Sequence, residues 1–449
     1  MRDLVFVAVL LSLLGFGLRR PFLWVLVYAY IDIVSPQRLT YYLLNSVPVS
    51  LIAAGLAVGG WVLFDDKRGV RFGPRQILLT LLLLWCGFTT MTAVFPDAAA
   101  AKWDWVWKAL AMSIFIPATL TTRLRQEALV LTMVLCASSI VIVGGIKTLA
   151  SGGGYGVLNL MVENNSGLYE GSIISAVAIA IVPLIWWLAK HGTVFPPDKR
   201  VRLFAAALTL ACLLIPIGTQ ARTGLVCIAA LAVLSLRSAK RRVPLLIGMA
   251  AAGAVAVLLV PSDLTSRAGT IRDYRSDQSA STRLAVWGWT LDYVGTHPFG
   301  GGFEVYRANE LRIETVETTA NASGGSDRST SDVTDSARAF HSAYFEMLGE
   351  QGWLGLGLWL AIQLSGLFSM ERLRRRFRRP QGGDEWIAPF ATALQHCQVI
   401  YLVGALFVGI ALQPFLLMVV AVQIGFAGWV ARRGGEPVGF AARRPRLTA

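Results

Sequence analysis

The sequence predicts an all-α integral membrane protein with about 12 or 13 transmembrane helices and one large extracytoplasmic loop containing short helices. Three observations predict it. Hydrophobic residues make up 55% of the 449 positions and charged residues only 15%, against about 25% charged in an ordinary soluble protein. The apolar residues come in blocks, such as 243–260 and 399–430, long enough to cross a ~30 Å hydrocarbon core at about 1.5 Å per residue. Clusters of Lys and Arg recur at every second connection between blocks, the pattern expected of loops held in the cytoplasm.

Taken in order, the blocks give spans near 4–18, 21–36, 46–64, 76–95, 107–121, 127–147, 171–189, 203–219, 223–236, 243–261, 352–370, 399–413 and 414–431. The first two are short, and the last two are divided only by Gln413-Pro414. The stretch 4–18 lacks a basic lead and a small-residue cleavage site, so it reads as a span or half of a re-entrant hairpin rather than a removed signal. The cytoplasmic connections hold Arg19 and Arg20, then Lys67, Arg68, Arg71 and Arg75, then Arg123 and Arg125. Lys190, Lys199, Arg200 and Arg202 follow, then Arg237, Lys240, Arg241 and Arg242, and then the run from Arg372 to Arg379. With Arg432, Arg433, Arg443, Arg444 and Arg446 in the tail, these account for 27 of the 41 Lys and Arg, enough to set the side of every loop. The chain therefore divides into N-terminal transmembrane helices (1–261), a large periplasmic loop (262–351), C-terminal transmembrane helices (352–431) and a basic cytoplasmic tail (432–449). The expected location is an inner membrane, with the long loop on its outer side.

The long loop holds 13 Asp and Glu against 8 Arg, acidic where the cytoplasmic connections are basic. Its middle, 315–337, is rich in Ser, Thr, Asp, Asn and Gly and reads as mobile. Its flanks, 281–310 and 339–351, carry aromatic and apolar residues at helix-like spacing and are expected to fold onto the membrane surface.

A net charge of +14 and a pI near 9.9 could suggest nucleic acid as a partner. The charge lies in short loop clusters, however, and forms no basic face with interleaved aromatics. All five cysteines fall in or beside apolar blocks, so no disulfide framework is expected. The loop has no HExxH, Cys/His pair or Asp-rich motif. Asp327, Asp332 and Asp335 lie in the stretch read as mobile, so no metal or other cofactor is expected. Mid-span carboxylates, the mark of proton-coupled transport, are missing too, Asp32 near a span edge being the nearest case. That weakens a transporter or flippase reading.

A site facing outward has no ATP or nucleotide sugar, so its substrate must arrive already activated. Lipid-linked diphosphates are the usual kind, and they call for cations and a base. Arg222 lies in Gly218-Thr-Gln-Ala-Arg-Thr-Gly224, a short turn between apolar blocks, where an arginine close to hydrocarbon is a functional candidate or an interfacial anchor. Arg283 offers a planar fork for phosphate oxygens, with Trp287 four residues on along the same helical face. Of the four histidines, His191 and His396 fall toward the cytoplasm, and His297 precedes Pro298 and Gly300-Gly-Gly302 in a turn. His341 sits where the polar stretch gives way to an amphipathic run, and an imidazole can accept a proton near neutral pH.

These residues carry a resemblance. His341-Ser342, nine residues, then Gly352-Trp-Leu-Gly355 resembles the pattern His-[Asn/Ser/Gln]-x9-Gly-x-x-[Gly/Thr/Val] of the O-antigen ligase superfamily, which also includes O-antigen polymerases. Arg222 in its small-residue turn and the segment Arg283, Trp287, His297, Pro298, Gly300, Gly302 agree with it. The start Met-Arg-Asp-Leu and the region 30–36 look like the O-glycosylation ligases associated with the exosortase A system. The resemblance implies a metal- and nucleotide-independent membrane glycosyltransferase that moves a preassembled glycan from undecaprenyl diphosphate to a protein or lipid acceptor. It implies that Arg222 and Arg283 hold the diphosphate and that His341 activates the acceptor hydroxyl. Arg338, Trp287, His297, Gly352 and Gly355 are then expected at the substrate, with Glu346 a further candidate. A polysaccharide polymerase is the alternative within the superfamily. Thirteen spans would depart from the even number usual among its ligases: either 4–34 is a re-entrant hairpin or this subgroup differs, and neither choice moves the long loop.

Overall fold

A computed structural model describes residues 2–40, 42–44, 47–67, 70–151, 167–238, 278–320, 326–379 and 383–433. Helices dominate: α1 (Arg2–Gly17), α2 (Phe22–Val34), the single turn α3 (Pro36–Leu39), α4 (Val49–Phe64), α5 (Pro74–Met91), α6 (Pro96–Thr119), α7 (Arg123–Ser151), α8 (Gly171–His191), α9 (Lys199–Gly218) and α10 (Arg222–Ser238). After them come α11 (Gln278–Thr296), the hairpin β1 (Glu310–Ala320) and β2 (Ser326–Ser336), α12 (Ala343–Arg376), α13 (Ile387–Gly404) and α14 (Pro414–Arg433). Five of these, α7, α8, α9, α12 and α14, are long and apolar enough to cross a membrane, and α1, α2 and α4 are shorter apolar helices. The protein is thus an all-α integral membrane protein.

Helix α8 is the axis of the bundle, buried along most of its length and packed by α7, α9, α10 and α13. The outer helices expose large apolar side chains such as Leu84, Leu203, Val233 and Phe368. In water such a surface would aggregate; against lipid it is the ordinary outer face. Polar groups inside the bundle join helices. Arg75 Nη2 donates to Gln423 Oε1 at 2.9 Å, Gln423 Nε2 to Gln398 Oε1 at 2.9 Å, and Gln398 Nε2 to Gln363 Oε1 at 2.7 Å. This chain links α5, α14, α13 and α12.

The connections rich in Lys and Arg gather at one end. There Arg125 pairs with Asp65, Arg433 with Asp384 and Arg237 with Glu371. Arg123 donates to the His191 carbonyl and lies over the Trp386 ring. The opposite end carries α11, the hairpin and the elbow before α12.

Several sequence-based boundaries move. The span expected at 399–413 is instead α13, which begins at Ile387 and ends at Gly404, with 405–413 irregular. Hydropathy misplaces it because Gln395, His396 and Gln398, polar by type, are buried against neighbouring helices. Helix α6 begins at Pro96, well before the expected 107, because Lys102 is neutralised inside the protein. The stretch 315–337, read as mobile, contributes to an antiparallel hairpin in register from Glu310↔Ser336 to Ala320↔Ser326. Ile313, Thr315, Val316, Thr318 and Thr319 supply the β-branched content that a polar-composition rule overlooks. The span expected at 243–261, the tip of the hairpin and nearly all of the basic tail lie outside the described residues.

Candidate active site

Helix α11 turns two functions toward the elbow before α12. Trp287 Nε1 donates to the Phe340 carbonyl at 2.9 Å, and its ring stacks on Phe345 with centroids 4.7 Å apart and planes 4° from parallel. Val286, Val305, Leu311 and Phe340 form the small apolar core beneath this contact. The residue ahead of His341 is therefore fixed by α11. The residue behind Ser342 is fixed by α13, since Ala343 N donates to the Ala405 carbonyl at 2.8 Å. Between these anchors His341 adopts φ +47°, a left-handed conformation that few side chains accept. Ser342, buried, then begins α12 in an extended conformation. Backbone held in so sparse a region persists only where its surroundings enforce it.

His341 is exposed as a residue, but its imidazole is partly dehydrated and lies among charges. Loss of part of its hydration and the nearby Arg283 guanidinium lower its pKa from the ordinary 6.5, with Arg338 adding to the effect and Glu170 opposing it. Arg283 and Arg338 thus stand close enough to His341 to be felt, and so does a carboxylate from α8. Arg338 is positioned by Asn309, whose Oδ1 accepts from Arg338 N at 2.9 Å and whose Nδ2 donates to Arg338 O at 2.7 Å. Its guanidinium pairs with Asp335.

Arg222 occupies the first turn of α10, its side chain exposed. The turn from α9 is sewn to the start of α8. Ala221 N donates to the Pro216 carbonyl at 3.1 Å, Thr219 Oγ1 lies 2.8 Å from Ser175 Oγ, and Gly224 has no room for a Cβ against Pro216 and Ser175. Glu170 caps α8 by accepting from Ile173 N at 2.7 Å. Gly404, directly before the carbonyl that anchors Ala343, packs on Ala176 and Thr223. The starts of α8, α10 and α12 therefore converge around the end of α13, which brings Glu170 within electrostatic reach of His341 and leaves Arg222 next to Thr223 at that convergence.

His297, Gly352 and Gly355 take a different position. His297 stacks on Tyr293 at 4.4 Å and hydrogen-bonds Thr296. Gly352 breaks α12 with φ +66°, and a Cβ there would collide with Pro298 and Phe299. The carbonyls freed by the break are met in turn: Gly301 N on Gly349 O at 3.0 Å, Gly302 N on Glu350 O at 2.9 Å, Trp85 Nε1 on Gln351 O at 2.8 Å. Gly355 faces Trp85. Gly352 locks the turn after α11 to α12 and Gly355 lies against Trp85, while His297 rests on side chains of its own helix, Tyr293 and Thr296.

Beneath the elbow lies a group that sequence reading did not assemble. Lys102 Nζ is 2.7 Å from Glu346 Oε1 and 2.8 Å from Glu350 Oε1, with Glu350 only 1% exposed. Glu350 also accepts from Glu304 N at 3.0 Å, and Glu346 from Ala411 N at 3.2 Å. One ammonium and two carboxylates thereby tie α6, the turn after α11, the first segment of α12 and the 405–413 connection. The available signal was a lysine in Lys102-Trp-Asp-Trp on the side otherwise poor in basic residues. Glu170 gave no comparable signal. Among the described residues no group of three His, Cys, Asp or Glu is arranged to hold a metal ion.

Fold and site together define a polytopic, helical membrane protein with a histidine near cationic side chains at one end of the bundle. Residues 204–360 match the family model described as O-antigen ligase, which supports the O-antigen ligase superfamily for that stretch. Residues 1–193 match a family of unknown function, DUF5935. No curated protein matches the sequence. The O-antigen ligase match contains Arg222, Arg283, Arg338 and His341, whereas Lys102 and Glu170 come from the stretch of unknown function.

Proposed function

We propose that this protein is an inner-membrane glycosyltransferase that moves a preassembled glycan from undecaprenyl diphosphate to a hydroxyl on a protein or lipid acceptor at the periplasmic face. The observation that carries the reading is His341, held in a strained conformation by anchors on both sides, beside Arg283 and Arg338, within the stretch that matches the O-antigen ligase family.

In this mechanism the neutral imidazole of His341 takes the proton of the acceptor hydroxyl as its oxygen attacks the anomeric carbon. The bond from that carbon to the diphosphate oxygen breaks, and the electron pair leaves on the diphosphate. Arg222 and Arg283 meet the charge that develops there, a task in which each donor contributes on the order of 10²–10³ in rate. Arg338 sets the electrostatics of the imidazole, and Trp287 fixes the peptide that presents it. The acceptor's oxygen replaces the diphosphate's, so neither an oxidant nor ATP enters.

The test is purified protein with an undecaprenyl-diphosphate glycan and candidate acceptors, followed by mass spectrometry of both products. Transfer to a protein or lipid acceptor is expected from the wild type and not from H341A or R222A, both still inserted in the membrane. Undiminished transfer by both variants would refute the reading. Lengthening of the lipid-linked glycan in place of transfer would identify a polymerase.

A further inference from the structure

At the basic end, opposite the candidate active site, α7, α8, α9 and the turn between α8 and α9 line a partly open cavity of about 390 Å³. Its walls are apolar, formed by Leu131 and Leu135 of α7, Ile185 and Leu188 of α8, and Phe204 and Leu208 of α9. From Arg200 to Leu208 the wall runs eight residues along α9, about 12 Å of helix. Among the described residues, only Glu127 and Arg200 bring charge to the lining. Glu127 is already committed, accepting from Thr193 N at 2.6 Å, Val194 N at 2.7 Å and Thr193 Oγ1 at 2.6 Å. Arg200 is exposed at the mouth, in the first turn of α9 with Lys199 and Arg202, three cations against the one carboxylate of Asp198 that caps the turn by accepting from Arg200 N at 3.2 Å.

An apolar void of this size offers water almost no hydrogen-bond partners, and left empty it would forfeit dispersion contacts along every wall. The occupant that fits is apolar over its length and anionic at the end beside Arg200. We propose that this groove binds one acyl chain of an anionic phospholipid, with the headgroup phosphate held by Arg200 and attracted by Lys199 and Arg202. The charge at the mouth favours an anionic occupant over the span at 243–261, which has no acidic residue to offer Arg200. A second copy of the chain would bring the same basic turn face to face with itself. The site is independent of the glycan-transfer reading.

The experiment is native mass spectrometry of the full-length protein, titrated with phosphatidylglycerol or with phosphatidylcholine in mild detergent. Tighter retention of phosphatidylglycerol is expected. R200Q, a change at an exposed position, should weaken it about fivefold, and K199Q/R200Q about 25-fold, the effect of roughly one favourable interaction per basic residue at a membrane surface. A205F, which fills the groove from its buried wall, should lower retention of both lipids. Equal retention of the two lipids by the wild type would overturn the proposal, as would phosphatidylglycerol retention unchanged in K199Q/R200Q. Disulfide formation between cysteines placed at 208 and 250, or between the 208 positions of two copies, would overturn it as well, by showing the groove filled with protein.

Discussion

His341 pays a backbone cost of about 1 kcal/mol or more for its left-handed conformation, and the return lies in what surrounds the ring. Partial dehydration and Arg283 lower its pKa below 6.5, Arg338 adds to this, and Glu170 opposes it. A base must be unprotonated to accept a proton, so a lowered pKa keeps it competent at pH 7. Activity should then hold near neutrality and fall as the pH drops through the lowered pKa. Replacing Arg338 with Gln removes a cation that disfavours the imidazolium, so the acidic limb of the kcat profile should move to higher pH. E170Q removes the opposing carboxylate and should move that limb to lower pH. H341A should lose about 10²–10⁴ in rate, the usual contribution of general base catalysis. Glycan transfer measured from pH 5 to 9 checks all three, and limbs that stay fixed in both charge variants would remove His341 from the role of base.

At the scale of elements, the first segment of α12 owes its position to Lys102. Replacing Lys102 with Met leaves Glu346 and Glu350 facing each other without their cation, in a site where Glu350 is 1% exposed. Stranding buried charge in this way costs about 3–5 kcal/mol. The triple variant K102M/E346Q/E350Q removes all the charge and should recover most of that loss, because amide oxygens can still accept from Glu304 N and Ala411 N. Unfolding of the purified protein in mixed micelles, followed by near-ultraviolet circular dichroism, checks both; a K102M cost under about 1 kcal/mol would leave the cluster without a structural role. This group marks where sequence reading ended. Long apolar helices such as α7, α8 and α9 announce themselves through composition, because lipid tolerates little else. Arg222, Arg283 and His341 were candidates on residue type alone, and the resemblance to the O-antigen ligase superfamily is what set them in one proposed site. The pairing of Lys102 with Glu346 and Glu350 depends on residues some 250 positions apart, and no local pattern encodes it. Gly352 was visible as a motif position, but its work in breaking α12 against Pro298 appears only once the turn after α11 is docked.

The molecule as a whole sorts its charge. Arg125, Arg123, Arg433 and Arg237 meet their partners at one end, while His341, Arg283 and the hairpin occupy the other. The glycan-transfer proposal requires the first end to face the cytoplasm, the side that the positive-inside rule would give it, since a site in the cytosol would have nucleotide sugars at hand and no need of a lipid-borne donor. Cysteine labelling tests this cleanly, because the native Cys86, Cys136, Cys212, Cys227 and Cys397 are all buried and should react little. A cysteine in place of exposed Ser336, close to His341 in sequence, should be modified in intact spheroplasts by a maleimide that cannot cross the membrane. A cysteine in place of exposed Lys199 should react only after the membrane is opened. The reverse pattern would turn the bundle over, put His341 among soluble donors, and remove the reason for reading Arg222 and Arg283 as a cradle for a lipid diphosphate.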